Sequence, residues 1–338
     1  ERTLLSPCVS RIWWCCAGRR IAMTEDHIAA LCQATFAKPD KDAWRWGLWS
    51  PRDQEWLREL EVLWQENAAV LAGHATFDGG ALTIPRKIHQ IWLGPCERPA
   101  ACERFADSWR NCHPDWEYRL WMDEDAAAEL THTGLAEAFH SATNPAEKSD
   151  LLRLAILLHH GGLYVDVDFE CLKPFDTLHS SVSFYCGFSN VGAVELNNGL
   201  VAASPGHPLL AHLCDHVGKP WPEWGQEDVD PQEAVLHQIQ KSGMLTAVLP
   251  GGKAAFIATT GPGFFTRGVI TGLRQLKGRT DLGPILVCPA QVFYPMPNTE
   301  RGKPPREPGE YKTPSSMAVH HWFRTWAAEE GLDDEVTK

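Results

Sequence analysis

The spacing of apolar and polar residues along the chain predicts alternating helices and strands. After residue 50, Trp56, Leu60, Leu63 and Trp64 recur every three or four positions, which is the spacing of one helix face. Short apolar runs bounded by turn residues predict strands. The predicted helices cover 98–112, 123–140 and 145–160, and the predicted strands cover 87–92, 115–121 and 163–168. This strand–helix–strand order predicts an α/β layer around a mostly parallel sheet.

The region before residue 83 is rich in tryptophan and helical in pattern. Ser50 and Pro51 form a helix start, because a capping hydroxyl precedes a proline in the first turn. We predict a helix packed on the main domain; the alternative is a platform for a sugar acceptor, since tryptophan faces stack on sugar rings. The predicted divisions are a disordered leader at 1–23, a helical extension at 24–82, the main domain at 83–326 and an acidic tail at 327–338.

Composition narrows the class of protein. The 338-residue chain has a formal net charge of −12 and no long basic run, which argues against nucleic acid as a partner. No stretch of ~20 apolar residues predicts a membrane span. The 11 cysteines are odd in number and form no CxxC pair. We therefore expect mostly reduced thiols in a protein that is cytoplasmic or peripheral to a membrane.

Two aspartates interrupt the apolar run LYVDVDF. On a strand, residues i and i+2 face the same side, so Asp166 and Asp168 should point together while Val165 and Val167 face the core. Two adjacent carboxylates repel unless a cation lies between them. Oxygen ligands suit Mg²⁺ or Mn²⁺, which predicts a divalent metal site. The alternative is an edge strand whose aspartates face water.

The preceding helix should bring further charges to the same place. The pair Gly161-Gly162 predicts a tight reversal, so helix 145–160 runs antiparallel to the following strand. Asp150 then lies ~15 Å back along the helix and Asp166 ~13 Å along the strand, at about the same height. Arg153 shares the helix face of Asp150 and could bind phosphate or sugar hydroxyls by forked hydrogen bonds. The alternative is a surface ion pair between the two, which would contribute little.

Residues 149–175, SDLLRLAILLHHGGLYVDVDFECLKPF, resemble the SD-x-x-R…GG-x-Y-x-D-x-D segment of glycosyltransferase family 32. That family includes yeast mannosyltransferases and α-1,4-galactosyltransferases, and the clostridial glucosylating toxins share its core. IPRKIHQIW (84–92), NNGLVAASPGHPLL (197–210) and AVHHWFRTW (318–326) resemble further family motifs in the same order. The resemblance covers 83–326 and leaves the first eighty residues without a counterpart.

This resemblance implies a GT-A fold, a Rossmann-like sandwich around a mixed, mostly parallel sheet, here with an N-terminal helical extension. It implies a metal-dependent hexosyltransferase that moves a sugar from a UDP- or GDP-sugar to a saccharide, glycolipid or protein acceptor, as in polysaccharide biosynthesis, with retention of anomeric configuration. We expect a route in which the departing phosphate takes the acceptor's proton. The alternatives are a DxD phosphohydrolase and a non-catalytic sugar-binding protein.

The resemblance also implies roles for individual residues. Asp168 would bind the metal directly, and Asp166 would contact the donor and help to hold the metal. Asp150 and Arg153 would hold the donor sugar, with Arg153 and the two DXD aspartates forming the catalytic set. Trp92 would stack on the nucleobase.

Two further residues and a loop complete the predicted site. Asn198 would contact the donor, and His320 would reach the metal or the pyrophosphate, although the neighbouring His321 leaves open which histidine faces the site. The segment 300–314 is charged and rich in proline and glycine. We predict that it is mobile without ligand and closes over the bound donor.

Overall fold

The computed structural model describes residues 13–14, 20–21, 51–68, 83–131, 133–190, 195–219, 256–279, 281–300 and 309–323. The helices in these ranges are α1 Pro51–Asn67, α2 Ala100–Cys112, α3 Asp123–Leu130, α4 Ala136–Ser141, α5 Pro145–His160, α6 Asp176–Ser181, α7 Pro208–His216, α8 Phe256–Thr259, α9 Pro262–Gln275 and α10 Ala290–Phe293, with a 3₁₀ turn at Asn298–Glu300. The strands are β1 Trp13–Trp14, β2 Arg20–Ile21, β3 Lys87–Ile91, β4 Glu117–Trp121, β5 Gly162–Val165, β6 Phe169–Cys171, β7 Phe184–Phe188, β8 Leu196–Ala203, β9 Ile285–Cys288 and β10 Ala318–His320.

Six of these strands form one mixed sheet in the order β4-β3-β5-β8-β7-β9. Strand β8 runs antiparallel to both of its neighbours, and the other pairings are parallel. Two small antiparallel pairs, β6 with β10 and β1 with β2, complete the described strands. The predicted α/β sandwich around a mixed, mostly parallel sheet is therefore confirmed.

The tryptophan-rich helix α1 packs on the sheet and contributes to the hydrophobic core. It packs against β9, and the rings of Trp56 and Trp64 are buried in the same hydrophobic cluster as the sheet residues. Arg274 on α9 also pairs with Glu55 and Glu59 of α1. The prediction of a packed helix is confirmed, and the sugar-platform alternative is wrong for these two rings because neither has a face available to a ligand.

Several predicted boundaries differ from the structure; the strand predicted over 115–121, for example, begins at Glu117. The helix predicted over 123–140 is two helices, α3 and α4, separated by a turn in which Gly134 has φ +71°. The strand predicted over 163–168 ends at Val165, with consequences described below. The helix predicted from residue 98 begins at Ala100, after Pro99.

Several sequence-based predictions concern residues outside the described ranges. These are most of the leader and helical extension before residue 83, residues 301–308 of the predicted closing loop, and the acidic tail. Among the described helices, none has the length and apolar character that crossing a bilayer requires. In the described part of the chain Cys112 is disulfide-bonded. The cysteines there that form no disulfide are Cys96, Cys102, Cys171, Cys186, Cys214 and Cys288.

Candidate metal and donor site

The candidate site lies at the edge of the sheet where β3 and β5 end and β8 begins. In open α/β sheets this carboxyl edge of the strands is the usual place for ligands. Asp166 directly follows β5, and its backbone N–H donates to the Gly199 carbonyl of β8 at 2.8 Å. The Asp166 carbonyl accepts from the Phe169 N–H at 3.1 Å, which closes a turn. The DXD aspartates therefore lie in a turn between β5 and β6, and their prediction as strand residues is wrong.

The turn nevertheless brings the two carboxylates together, with a histidine beside them. One ligand atom from each of Asp166, Asp168 and His320 lies within 4.8 Å of the other two. His320 Nε2 is 3.1 Å from Asp168 Oδ1 and 4.0 Å from Asp166 Oδ2. His320 lies on β10. This strand pairs with β6, and His320 is the pairing partner of Phe169. The alternative of aspartates on a water-facing edge strand does not describe this cluster, because Asp168 is 4% exposed.

The structure also distinguishes the two adjacent histidines. His321 Nε2 lies 3.3 Å from Glu170 Oε2, and its ring stacks on Phe105 with centroids 4.3 Å apart. The His320 ring instead stacks on Phe169 at 4.5 Å and faces the aspartates. Within the described residues the buried His320 Nδ1 has no hydrogen-bond partner, so the ring is held by this stacking and by the contact of its Nε2 with Asp168. His320, rather than His321, is therefore the histidine of the cluster.

The donor set of this cluster fits a divalent ion. Carboxylate oxygens with one imidazole nitrogen suit Mn²⁺ or Mg²⁺ with open positions for water or phosphate. Burial raises the pKa of Asp168, but the imidazole of His320 and the backbone N–H of Phe323 outweigh it, so the net shift is downward. That N–H donates to Asp168 Oδ2 at 2.7 Å. Asp168 is thereby held as a carboxylate, the form that a metal ligand requires.

Asp150 and Arg153 form a buried ion pair beside the cluster. Each residue is 5% exposed, and Arg153 Nη2 lies 3.0 Å from Asp150 Oδ1 and 3.5 Å from Asp166 Oδ1. The alternative of a surface ion pair is therefore wrong. Burial would lower the pKa of Arg153, but Tyr164, Asp150 and Asp166 outweigh it and raise the pKa. A permanently charged guanidinium thus links the helix acid to the first DXD aspartate.

Asp150 is held on its other sides by residues distant in sequence. Asn198 Nδ2 donates to Asp150 Oδ1 at 2.8 Å, and the Thr260 hydroxyl donates to Asp150 Oδ2 at 3.2 Å. Arg153 Nη1 in turn donates to the Asn198 carbonyl at 2.7 Å. Burial raises the pKa of Asp150 to about 6 against the opposing charge of Arg153. The structure thus places Asn198 against the predicted donor residues, with its amide engaged by Asp150.

Three residues of this site, Tyr164, Gly199 and Thr260, have no role assigned by the sequence analysis, although alternation places Tyr164 near the face of the aspartates. The Tyr164 hydroxyl donates to Asp166 Oδ1 at 2.7 Å, and the Arg153 guanidinium lies over the Tyr164 ring, 4.5 Å from its centroid. The motif GG-x-Y-x-D-x-D contained Tyr164, and the motif NNG contained Gly199, but neither had an assigned role. Thr260 lies between α8 and α9, and no local pattern connects it with a carboxylate 110 residues away.

Trp92 lies at the same edge of the sheet, directly after β3. Its backbone N–H donates to Trp121 O at 2.9 Å, and its indole Nε1 donates to Cys96 O at 2.8 Å. The side chain is half-buried. The described contacts of Trp92 do not reach the Asp–Asp–His cluster, so nucleobase stacking stays a prediction.

Comparisons with known proteins support the family resemblance. Residues 99–185 match the family described as "Glycosyltransferase sugar-binding region containing DXD motif". This range contains Asp150, Arg153, Asp166 and Asp168, whereas Trp92, Asn198 and His320 lie outside it. The predicted resemblance to the DXD glycosyltransferases is confirmed.

Two curated relatives and one solved structure illustrate the similarity. "Inositol phosphoceramide mannosyltransferase 1" of Schizosaccharomyces pombe is 33% identical over 141 residues, 40% of this chain and 43% of that protein. "Mannosyl phosphorylinositol ceramide synthase CSH1" of Saccharomyces cerevisiae is 30% identical over 146 residues, 41% of this chain and 37% of that protein. The chain thus spans less than half the length of either relative. The structure titled "PaToxG Glycosyltransferase" has a TM-score of 0.42 and 15% identity, covering 68% of this chain and 83% of that one.

Proposed function

We propose that this chain transfers a hexose from a nucleoside-diphosphate sugar to an acceptor hydroxyl, with a divalent metal and with retention of configuration. The premise is that residues 99–185 match a glycosyltransferase sugar-binding region with a DXD motif. The observation that carries this proposal is the convergence of Asp166, Asp168 and His320 within 4.8 Å. A buried guanidinium, that of Arg153, adjoins this cluster 3.5 Å from Asp166. Metal ligands and a fixed cation at one edge of the sheet suit a substrate that carries both phosphates and sugar hydroxyls.

Asp168, Asp166 and His320 would hold the ion, Mn²⁺ or Mg²⁺. When bound there, it would supply Lewis-acid stabilisation of the charge on the departing diphosphate. Asp168 is fixed for this purpose by the Phe323 N–H, and Asp166 by the Tyr164 hydroxyl.

Arg153 orients both acids and keeps capacity for the donor. Its Nη2 faces Asp150 and Asp166, its Nη1 donates to Asn198 O, and its Nε donates to Ser149 O at 3.3 Å. A guanidinium has five N–H donors. At least one N–H on Nη1 is therefore left over, and we assign it to a hydroxyl of the donor sugar.

The same contacts bear on stereochemistry. A double-displacement route to retention needs a carboxylate nucleophile. Both oxygens of Asp150 are engaged, by Arg153 and Asn198 on Oδ1 and by Thr260 on Oδ2, which makes Asp150 a poor nucleophile. We therefore favour a front-face route, in which the acceptor attacks on the side of the departing diphosphate and gives its proton to that phosphate.

The mannosyltransferase names of the relatives make mannose the first sugar to test. The experiment is a thermal-shift screen of GDP- and UDP-hexoses with and without Mn²⁺, because a ligand that binds only the folded state raises the melting temperature. Hits are followed by nucleoside diphosphate release with saccharide and glycolipid acceptors, and the anomeric configuration of the product is read by NMR. Metal-dependent release with no glycoside product under any acceptor would indicate a hydrolase, and no stabilisation by any nucleotide sugar would overturn the proposal.

A further inference from the structure

Gln90 is a polar residue where the sequence of β3 would favour an apolar one. Its side chain is fully buried, at 0% exposure, in a strand that lies between β4 and β5. Burying an amide without hydrogen bonds is unfavourable, because its polar atoms lose their bonds to water. Strand positions that break the apolar pattern in this way are expected at functional sites.

Both ends of the Gln90 amide are satisfied, in a way that fixes its orientation. The Tyr118 hydroxyl of β4 donates to Gln90 Oε1 at 2.5 Å. Gln90 Nε2 is therefore turned the other way and donates to the backbone carbonyl of Asp166 at 3.2 Å. The Tyr118 ring is itself covered by the Arg110 guanidinium, which lies 4.3 Å from the ring centroid.

The Asp166 carbonyl oxygen accepts the hydrogen bonds that hold the turn between β5 and β6. It also accepts from Phe169 N–H at 3.1 Å, while the Asp166 N–H donates to Gly199 O at 2.8 Å. Gln90 joins this turn to β3 by a side-chain hydrogen bond. Removing its amide would free one side of the Asp166 backbone and let the carboxylate move relative to Asp168.

We propose that Gln90, oriented by Tyr118, is a positioning residue that fixes the Asp166 backbone and so sets the affinity of the metal site. Gln90 does not touch the metal or the donor in this role. The inference rests on the metal site of the proposed function, and the test below separates failure of one from failure of the other.

The neighbouring residue provides a matched control. His89 is also buried on β3 and also makes two hydrogen bonds: its ring Nε2 pairs with Gly161 O at 2.9 Å, and Trp121 Nε1 donates to its Nδ1 at 3.1 Å. Gly161 directly precedes β5, whereas Asp166 directly follows it. A His89 variant therefore loses comparable buried hydrogen bonds at the opposite end of the strand from the metal ligands.

The experiment compares Gln90→Met with His89→Leu in the full chain. Urea unfolding measures the stability of each variant, and calorimetric titration with Mn²⁺ measures metal affinity. We expect both variants to be less stable than the wild type. Only Gln90→Met should bind Mn²⁺ more weakly, by about 5- to 10-fold, because it loses the hydrogen bond to the Asp166 carbonyl, which acts on the metal ligand through the backbone. Unchanged affinity in Gln90→Met, or an equal loss in His89→Leu, would show a merely structural role.

Three cases decide between the positioning role and the metal site. If Gln90→Met does not fold, Tyr118→Phe replaces it, because this change removes a single hydroxyl from a half-buried ring; we expect Mn²⁺ binding about 2- to 3-fold weaker, and wild-type affinity would overturn the proposal. If the wild-type protein does not bind Mn²⁺, the metal site itself is wrong and the positioning role falls with it. If it binds Mn²⁺ but Gln90→Met binds equally well, only the positioning role is wrong.

Discussion

Gly199 lies so close to Asp166 that a Cβ atom built on it would stand 2.6 Å from Asp166 Oδ2. No real side chain tolerates this separation, so the glycine leaves the space that the carboxylate occupies. The backbone carbonyl of the same glycine accepts the Asp166 N–H. Gly199 thus holds the first DXD aspartate at its backbone and makes room for its side chain.

We predict that Gly199→Ala will displace the Asp166 carboxylate and weaken Mn²⁺ binding about 10- to 100-fold, with a loss of stability of about 1–3 kcal/mol. Gly272→Ala on α9 is the matched control, because its added Cβ would meet the side chains of Leu209 and His212 on α7, away from the aspartates. Calorimetric titration and urea unfolding should show destabilisation in both variants but normal affinity in Gly272→Ala. Normal affinity in both would contradict the displacement.

Asp168→Asn should abolish metal-dependent turnover while the protein stays folded, because the two side chains have nearly the same shape and only one carries the charge that binds a cation. Excess EDTA should inactivate the wild-type enzyme in the same way, and added Mn²⁺ should restore it. Asp281→Asn, which changes an exposed carboxylate paired with Arg279, is the control and should be fully active. Full activity of Asp168→Asn would rule out the proposed ligand.

Arg153→Ala should lower catalytic efficiency roughly 10- to 150-fold, as expected for the loss of charge-assisted hydrogen bonds of ~1.5–3 kcal/mol. Arg153→Lys keeps the charge but lacks the planar fork, so it should recover only part of this loss. Arg279→Ala removes an arginine from an exposed pair and should leave both kinetics and stability unchanged. Steady-state kinetics against donor concentration provide the measurement, and an Arg153→Ala enzyme as active as the Arg279→Ala control would show that Arg153 has no role in donor binding.

The buried histidines predict how stability depends on pH. Burial lowers the pKa of His89 to about 4, despite its hydrogen bond to Gly161, and the pKa of His179 to about 3. The unfolded chain binds a proton at each residue as pH falls through ~6.5, whereas the folded chain does not. Stability is therefore fully present above pH 6.5 and is lost at lower pH, down to the folded pKa, by ~1.4 kcal/mol per pH unit for each histidine.

Urea unfolding of the wild type and of His89→Leu at pH 7, 6 and 5, with EDTA present, measures this dependence. Replacing His89 should reduce the slope between pH 6 and 5 by about 1.4 kcal/mol per pH unit, because one buried neutral group is lost. Equal slopes in the two proteins would mean that His89 is already protonated in the folded state.

The sequence by itself determined the helix that carries Asp150 and Arg153. The predicted range 145–160 is the observed one, because both ends depend on local contacts: the Asn144 side chain accepts from Glu147 N–H at 2.8 Å, and Gly161 ends the helix with φ +58°. Periodicity also indicated the α/β layer. Both patterns depend on residues within a few positions of one another.

Only the tertiary structure decided how the site is assembled. Pairing of β10 with β6 selected His320 over His321, and a hydrogen bond from residue 260 fixed Asp150. The aspartates converge through a turn after Val165, which alternation along a strand could not predict. The strand pairing and the Thr260 hydrogen bond join residues 110 or more positions apart in sequence, and their geometry depends on how sheet and helices pack, whereas sequence periodicity reports only which face of an element is apolar.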